Sequence, residues 1–404
     1  MDHTVFVKAD RRDEAPVEAT AGCPVADSPA SGLLADARYV LPLKWADDAD
    51  LAGLARYLTE VVTWLPVTVV DGSAAELFAA HRRALPESVE HVRPEPWPGA
   101  NGKVAGVMTG VRRAREERIV VADDDVRHTR RTLERIMGLL EQAEVVRPQN
   151  YYLELPWQAR WDSGRALLNR ALGGDWPGTL GVRRSVLLTA GGYDGDVLFE
   201  NLELVRTVRA AGGREKVALD VLVGRVPPTV SHFLGQRVRQ AYDDFAQPYR
   251  LLAELSLLPL MCWALRHPVR LAAGALAVCG VAEMGRRRAE GVRVFPADTV
   301  LWAPLWVLER SVCVWAAVAV RARGGVSYAG ARLRTAGHSR AVLRRRLRHR
   351  SKGSPLLDPG PRQERRPVVS VGEGAAAEPA SPAMGDEPWP LLGSARMPRD
   401  GLPE

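Results

Sequence analysis

The sequence predicts a doubly wound α/β domain followed by apolar C-terminal helices. Residues 67–70 and 119–122 are short runs of mostly β-branched side chains, which is typical of strands buried on both faces of a sheet. Stretches with helical spacing alternate with these strands, and a strand, a helix and a second strand form a right-handed parallel unit. After residue 250 the chain becomes almost purely apolar over three runs. We therefore expect an α/β domain joined to membrane-associated helices.

The predicted organisation has four parts. Residues 1–35 lack periodicity and are expected to be disordered. The α/β domain spans residues 36–248, with strands expected at 39–43, 67–70, 119–122 and 144–148 and helices at 51–63, 101–111, 128–140, 157–172 and 198–211. Apolar helices occupy residues 249–322, and a basic, then disordered tail occupies residues 323–404.

Three consecutive carboxylates, Asp123, Asp124 and Asp125, follow the strand at 119–122. The carboxyl ends of strands form the ligand-binding edge of an open α/β sheet, and alternate residues there can direct two carboxylates at one hard cation. The alternative is an acidic turn or an N-cap of the helix expected from residue 128. The triplet alone does not decide between them.

Two further side chains are candidates for ligand binding. Asp71 ends the strand at 67–70, where it could accept hydrogen bonds from a base or ribose; the alternative is a plain turn. Lys103 lies near the start of a helix that is rich in small residues, from where it could reach a phosphate; the alternative is one more surface lysine. Glu200 and Glu203 begin a later helix, where acidic side chains also simply favour a helix N-terminus.

The C-terminal half combines apolar and basic segments. Gln236, Arg239 and Gln240 are expected on one helical face, where an arginine can neutralise a diphosphate. The runs at 251–265 and 271–282 are short for membrane spans and fit a re-entrant hairpin or interfacial helices, whereas 300–320 approaches a spanning length despite Glu309 and Arg310.

The formal charge of +7 is unevenly distributed. Residues 321–357 contain eleven Lys or Arg and no Asp or Glu, so the rest of the chain is net negative. Beside apolar helices, this segment suits an anionic leaflet better than a nucleic acid, and we expect no nucleic-acid partner. The four cysteines lack ligand spacing and are expected to be reduced packing residues. Residues 1–33 contain no apolar signal segment, so the α/β domain is expected in the cytoplasm.

The ordered motifs Asp71-Gly72-Ser73, Gly102-Lys103, Asp123-Asp124-Asp125, Glu200-Asn201 and Gln236-Arg237-Val238-Arg239-Gln240 resemble those of family 2 glycosyltransferases. The resemblance is to the membrane-attached, ceramide-glucosyltransferase-like branch, and it covers residues 38–325. It implies the GT-A nucleotide-diphospho-sugar transferase fold, with a Rossmann-like mixed sheet followed by C-terminal membrane-associated helices.

The resemblance also implies roles for individual residues. Asp71, Lys103, Asp123 and Asp124 would bind the nucleotide-sugar donor, Asp123 and Asp125 would hold Mg²⁺ or Mn²⁺, and Gln236 and Arg239 would act at the diphosphate and acceptor. The family's usual base is replaced by Asn201, and an amide cannot accept a proton from a hydroxyl, so Glu200 is expected to be the base. Gln240 replaces the tryptophan of the family's Q-x-x-R-W motif.

We therefore expect an inverting transferase that moves a sugar from a nucleotide-diphosphate sugar to a lipid or membrane-linked glycan. It would work at the cell membrane with its catalytic domain in the cytoplasm. The alternatives are a catalytically inactive membrane scaffold, suggested by Asn201, and a nucleotidyl or phosphosugar transferase of the same fold.

Overall fold

A computed structural model describes residues 32–47, 50–328 and 331–350. The disorder predicted for most of residues 1–35 and for residues 353–404, and the role predicted for Cys23, lie outside the described residues.

Eight strands form the central sheet and two form a small hairpin. The sheet strands are β1 (Ala37–Leu43), β2 (Val67–Asp71), β3 (Glu90–Val92), β4 (Arg118–Ala122), β5 (Val126–Arg127), β6 (Val145–Tyr152), β7 (Thr179–Arg183) and β8 (Glu215–Arg225). The hairpin strands are β9 (Val326–Tyr328) and β10 (Ala331–Leu333).

Helices pack on both faces of the sheet and continue after it. Those within the sheet region are α1 (Leu51–Val61), α2 (Ala75–Ala84), α3 (Gly102–Arg113), α4 (Arg130–Leu139), α5 (Trp157–Ala171), α6 (Arg184–Thr189) and α7 (Glu200–Ala210). Those that follow are α8 (Val230–Gly235), α9 (Arg237–Tyr242), α10 (Pro248–Ala264), α11 (Pro268–Arg287), α12 (Ala303–Ala322) and α13 (Arg340–Arg350).

The sheet is mixed, with strand order β3-β2-β1-β4-β7-β6-β8-β5. Strands β3, β2, β1 and β4 run parallel, β7 is antiparallel to both of its neighbours, and β5 is antiparallel to β8. The predicted α/β fold with a mixed sheet is thus confirmed. Periodicity did not predict β8, the eleven-residue strand that later supplies a side chain to the site.

Alternate residues of the strands face two separate apolar cores. Tyr39, Leu41 and Val69 pack against α1 and α4 on one face, whereas Val40 and Val121 pack against α3 and α7 on the other. Helix α3 approaches β1 closely, because a Cβ added at Gly110 would lie 2.3 Å from a Val40 methyl carbon. The small residues of α3 therefore allow the tight packing on the sheet that brings its N-terminus, with Lys103, to the edge.

The helix expected to contain Gln236, Arg239 and Gln240 is interrupted. Gln236 ends α8 and precedes α9, and in the described part of the chain it contributes backbone hydrogen bonds only. Despite this division, Gln236 keeps a helical backbone and its carbonyl accepts from the N–H of Gln240 at 2.8 Å, so these two residues lie one helical turn apart, as expected.

Charges within the apolar helices are paired with the α/β domain. Arg310 of α12 is 1% exposed and donates to Asp244 at 3.0 Å, and Glu309 lies 3.6 Å from Arg237, which also contacts Asp162. By length and composition two stretches could cross a membrane, Pro268–Arg293 and Ala297–Ala322. Because Glu309 and Arg310 pair with residues of the α/β domain, this part of α12 packs against that domain.

Candidate functional site

The acidic triplet lies at the edge of the sheet where parallel strands end. Asp123 follows β4, and its backbone N–H donates to the carbonyl of Gly178 at 2.8 Å. Thr129, not an aspartate of the triplet, is the N-cap of α4. The triplet is therefore not a helix cap; it forms a turn between β4 and β5, in which the N–H of Val126 donates to the carbonyl of Asp123 at 3.1 Å.

Lys103 links Asp123 to Glu200. Its ammonium lies 2.5 Å from Asp123 Oδ1 and 2.7 Å from Glu200 Oε1, so the N-terminal ends of α3 and α7 meet at the end of β4. Burial favours the uncharged lysine, but the two carboxylates outweigh it and raise the pKa of Lys103 above its usual value. Burial likewise raises the pKa of Glu200, but Lys103 and Arg239 reverse this effect and lower it. Glu200 is therefore ionised at neutral pH.

Asp125 is paired with Arg225, at the end of β8. Arg225 Nε lies 2.6 Å from Asp125 Oδ2, whereas Asp125 Oδ1 is buried and has no hydrogen-bond partner. Burial raises the pKa of both Asp123 and Asp125, although Lys103 and Arg225 oppose the rise. The sequence analysis missed Arg225. Its position at the end of β8 would have indicated it, but that strand was not predicted.

The residues present fit a divalent cation. Asp125 Oδ1 is a buried acceptor without a donor, and Asp123 Oδ2 is directed at Gly178, where an added Cβ would come within 2.7 Å of it. Carboxylate oxygens are the ligands that Mg²⁺ and Mn²⁺ prefer. Asp123 and Asp125 each retain one such oxygen beyond those paired with Lys103 and Arg225.

Asp124 has a different partner from its two neighbours. Its Oδ2 accepts a hydrogen bond from the indole N–H of Trp45, which follows β1. The structure thus places the Asp124 carboxylate beside the β1 end of the edge, apart from the pairs made by Asp123 and Asp125.

Asp71 is fully buried in a hydrogen-bonded cluster. Its carboxylate accepts from the Ser73 backbone N–H at 2.8 Å, and it lies 2.7 Å from His81 Nδ1 and 3.0 Å from His91 Nε2. Burial raises the pKa of Asp71, but His91, Ser73 and His81 together hold it well below its usual range. These three side chains could also ligate a metal ion, although their separations are those of hydrogen bonds. The Asp71 carboxylate is therefore not exposed to solvent.

Arg239 and Asp243 lie beside Glu200. Arg239 stacks on the ring of Tyr328, with the guanidinium carbon 5.2 Å from the ring centre. Burial raises the pKa of Asp243 to about 7 against the opposing effect of Arg239, and its Oδ1 has no hydrogen-bond partner. Gln240 is half-buried, and its Oε1 atom is buried without a hydrogen-bond partner. Neither Tyr328 nor Asp243 was a candidate from the sequence, because neither stands in a motif.

The other polar side chains of α7 face elsewhere. The Asn201 amide donates to the carbonyl of Pro177 at 3.0 Å. Glu203 is fully buried and bonds to His338, 135 residues further along the chain. Glu200 is thus the carboxylate at the start of α7 that contacts Lys103.

A polar cleft opens beside Asp125. It is lined by Arg225, the partner of Asp125, and by Tyr152, Asp162, Arg165 and Asp175 among others. Arg165 pairs with both aspartates, at 2.9 Å and 2.6 Å. The arrangement combines two carboxylates that could hold a cation, an ionised base candidate and an adjoining pocket rich in hydrogen-bonding groups.

The sequence matches one family model. Residues 67–184 match the model for glycosyl transferase family 2. A comparison with curated proteins gave no match.

Two solved structures are similar. The mannosyltransferase PcManGT from Pyrobaculum calidifontis, in complex with GDP-Man and Mn²⁺, is 20% identical, with a TM-score of 0.43 over 69% of this chain and 87% of that one. TarS 1–349 of S. aureus, in complex with UDP-GlcNAc, is 15% identical, with a TM-score of 0.35 over 49% of this chain and 60% of that one.

Replacing the bridging lysine tests the electrostatics of the site. In Lys103→Met we expect the pKa of Glu200 to rise, because the ammonium that opposes the effect of burial is gone and only Arg239 still lowers the pKa. Carboxyl ¹³C NMR across pH 3–8, with Glu200 assigned from a Glu200→Gln sample, measures the change. The control is Lys216→Met, a change at an exposed residue of β8. An unchanged pKa of Glu200 in Lys103→Met would contradict the pairing.

Proposed function

We propose that the protein is an inverting glycosyltransferase, because residues 67–184 match the model for glycosyl transferase family 2. It transfers a sugar from a nucleoside-diphosphate sugar to a hydroxyl acceptor, a lipid or a membrane-linked glycan, at the cytoplasmic face of a membrane. The observation that supports this best is the contact of Lys103 with both Asp123 and Glu200. It brings an ionised carboxylate to the strand end where the donor diphosphate would bind.

Glu200 is the proposed general base. The acceptor hydroxyl oxygen attacks the anomeric carbon, the bond from that carbon to the diphosphate oxygen breaks, and its electron pair leaves with the nucleoside diphosphate. The hydroxyl proton passes to Glu200, whose pKa is lowered, so that it is available as carboxylate. A single displacement inverts the configuration at the anomeric carbon.

Cationic side chains around the edge suit a diphosphate. Asp123 and Asp125 would hold Mg²⁺ or Mn²⁺, which when bound stabilises negative charge on the diphosphate. Arg239 is placed beside Glu200 and Arg225 beside Asp125, where each can contact phosphate oxygens. Roles for Gln236 at the diphosphate and for Asp71 and Asp124 at the donor stay predictions.

The metal site is tested by Asp125→Asn. This change keeps the shape of the side chain but removes the charge opposite Arg225, so we expect Mn²⁺-dependent donor binding to weaken at least tenfold, the effect of about 1.4 kcal/mol. Calorimetric titration with a panel of nucleoside-diphosphate sugars, with Mn²⁺ and with EDTA, provides the measurement, and Asp220→Asn on the exposed part of β8 is the control. Equal donor affinity in Asp125→Asn and the parent protein would refute the assignment.

The base is tested by Glu200→Gln. This change keeps size and hydrogen bonding but removes basicity, so donor binding should persist while turnover falls roughly a hundredfold or more. Release of nucleoside diphosphate is the assay, and Glu134→Gln on α4 is the control. If Glu200→Gln turns over at the parent rate while Asp243→Asn does not, the base is Asp243. A parent protein that binds donor but never turns it over would instead favour an inactive scaffold.

The membrane face is the outer surface of α10, α11 and α12. Exposed apolar side chains are concentrated there: Leu252, Leu260, Trp263, Leu265, Val269, Leu276, Leu301, Leu308, Val312 and Trp315. Exposed arginines lie along the same helices, among them Arg266, Arg270 and Arg287. An apolar face combined with arginines complements an anionic bilayer. We propose that this surface attaches the enzyme to the membrane.

Attachment is tested with two substitutions on that surface. Trp263→Asp combined with Leu276→Asp should lower partitioning into phosphatidylglycerol-containing vesicles at least tenfold. Each apolar side chain that moves from water into the bilayer contributes about 1.5–3 kcal/mol. Vesicle flotation measures this, and Leu153→Asp, an exposed leucine outside these helices, should float like the parent protein. Complete release of the parent by 1 M salt (roughly a 3 Å screening length) would show that charge alone mediates binding.

A further inference from the structure

The backbone immediately before Glu200 is bonded to the C-terminal part of the chain. The N–H groups of Leu198 and Phe199 donate to the carbonyls of Thr335 and Ala336 at 3.0 Å and 2.9 Å. Residues 335–336 lie in the basic segment that the sequence suggested as a lipid-binding tail. Instead of extending away, this stretch is hydrogen-bonded to the backbone that leads into α7.

The next turn of α7 is held by a contact between the buried Glu203 carboxylate and the His338 imidazole. Glu203 accepts from the backbone N–H of His338 at 2.7 Å, and its other oxygen lies 2.8 Å from His338 Nδ1. Arg346 of α13 donates to Asp194 at 2.6 Å and lies 3.1 Å from His338 Nε2. This arginine therefore links α13 to both Asp194 and His338. Arg206 also donates to the carbonyl of His338. The first two turns of α7 are therefore fastened to residues 335–346.

The hairpin β9–β10 contacts two other parts of the site. The Tyr328 hydroxyl donates to Asn101 Oδ1 at 3.1 Å, and the same Asn101 oxygen accepts the backbone N–H of Lys103. The Tyr328 ring lies against Arg239. The Tyr242 hydroxyl donates to the carbonyl of Arg334 at 2.9 Å, which ties the hairpin to α9.

We infer that residues 326–328 and 331–346 are an element of the active site and that Tyr328 and His338 are positioning residues. His338 acts through Glu203 to hold Glu200 against Lys103, and Tyr328 orients Arg239 and the N-cap of α3. The inference rests on the proposed function, because it assigns these residues to the base and the diphosphate contact named there. Leu333, Ala336 and Leu343 are buried, as expected of a docked element.

An aromatic partner for Arg239 follows from the same arrangement. In the resembling family a tryptophan follows the motif arginine, and here that position is Gln240. Tyr328 supplies an aromatic ring to Arg239 from a strand 89 residues further along the chain, as the stacking contact shows. An arginine held over an aromatic face keeps its guanidinium edges free for phosphate oxygens.

The test compares full-length His338→Ala, His338→Asn and Arg344→Ala. Asparagine retains a donor near the position of Nδ1, whereas alanine removes it; Arg344 is an exposed residue of α13. Initial rates of nucleoside diphosphate release are measured against GDP-mannose and UDP-N-acetylglucosamine, whichever the parent protein turns over. We expect His338→Ala to lower kcat roughly tenfold to a hundredfold, the effect of displacing a reacting group by about 1 Å, with KM for the donor unchanged. His338→Asn should keep most of the parent rate, and the control Arg344→Ala should match the parent rate.

Tyr328→Phe provides a second, independent measurement. It removes the bond to Asn101 but keeps the ring on Arg239, so it should be milder than Tyr328→Ala, which should raise KM for the donor as Arg239 loses its position. If His338→Ala and Tyr328→Ala both match the parent kcat and KM, the inference is wrong while the proposed function stands. Equal losses of kcat and donor affinity in His338→Ala, without recovery in His338→Asn, would also overturn it by indicating general unfolding. A parent protein that turns over no donor would overturn the proposed function.

Discussion

The ammonium of Lys103 between Asp123 and Glu200 is the interaction on which the rest of the site depends. Carboxylates from β4 and α7 converge at one partly buried edge, where burial and mutual repulsion disfavour their ionised forms. A cation between them makes the convergence favourable and keeps Glu200 charged. The same contact fixes the ends of α3 and α7 relative to β4, so electrostatics and geometry at this edge are set together.

Asp123 and Asp125 each have a cationic partner. Asp125 has Arg225 as Asp123 has Lys103, and each aspartate keeps one oxygen for a cation. Asp71 differs, since its carboxylate is buried with two histidines and belongs to the packing beneath the edge.

The C-terminal half shows how packing changes the meaning of a composition. Residues 300–320 are apolar enough for a membrane span, but Glu309 and Arg310 face partners in the α/β domain. The basic segment that follows suits a lipid surface by charge alone, yet its polar groups at Thr335 and His338 bond to α7. The apolar surface left over is the outer face of α10 to α12, which favours lying on a bilayer.

The sequence by itself determined the features that local chemistry controls. Runs of β-branched residues predicted β2 and β4, helical spacing predicted α1, α3, α4, α5 and α7 within a few residues, and the order of short motifs indicated the fold and the edge at Asp123. Only the tertiary structure decided which distant side chains meet there. Lys103 and Glu200 are 97 residues apart, Asp125 and Arg225 are 100 apart, and Glu203 and His338 are 135 apart. Periodicity reports whether a residue lies on a strand or a helix, but the partners of a charge depend on strand order and helix packing, which bring together residues that share no local pattern.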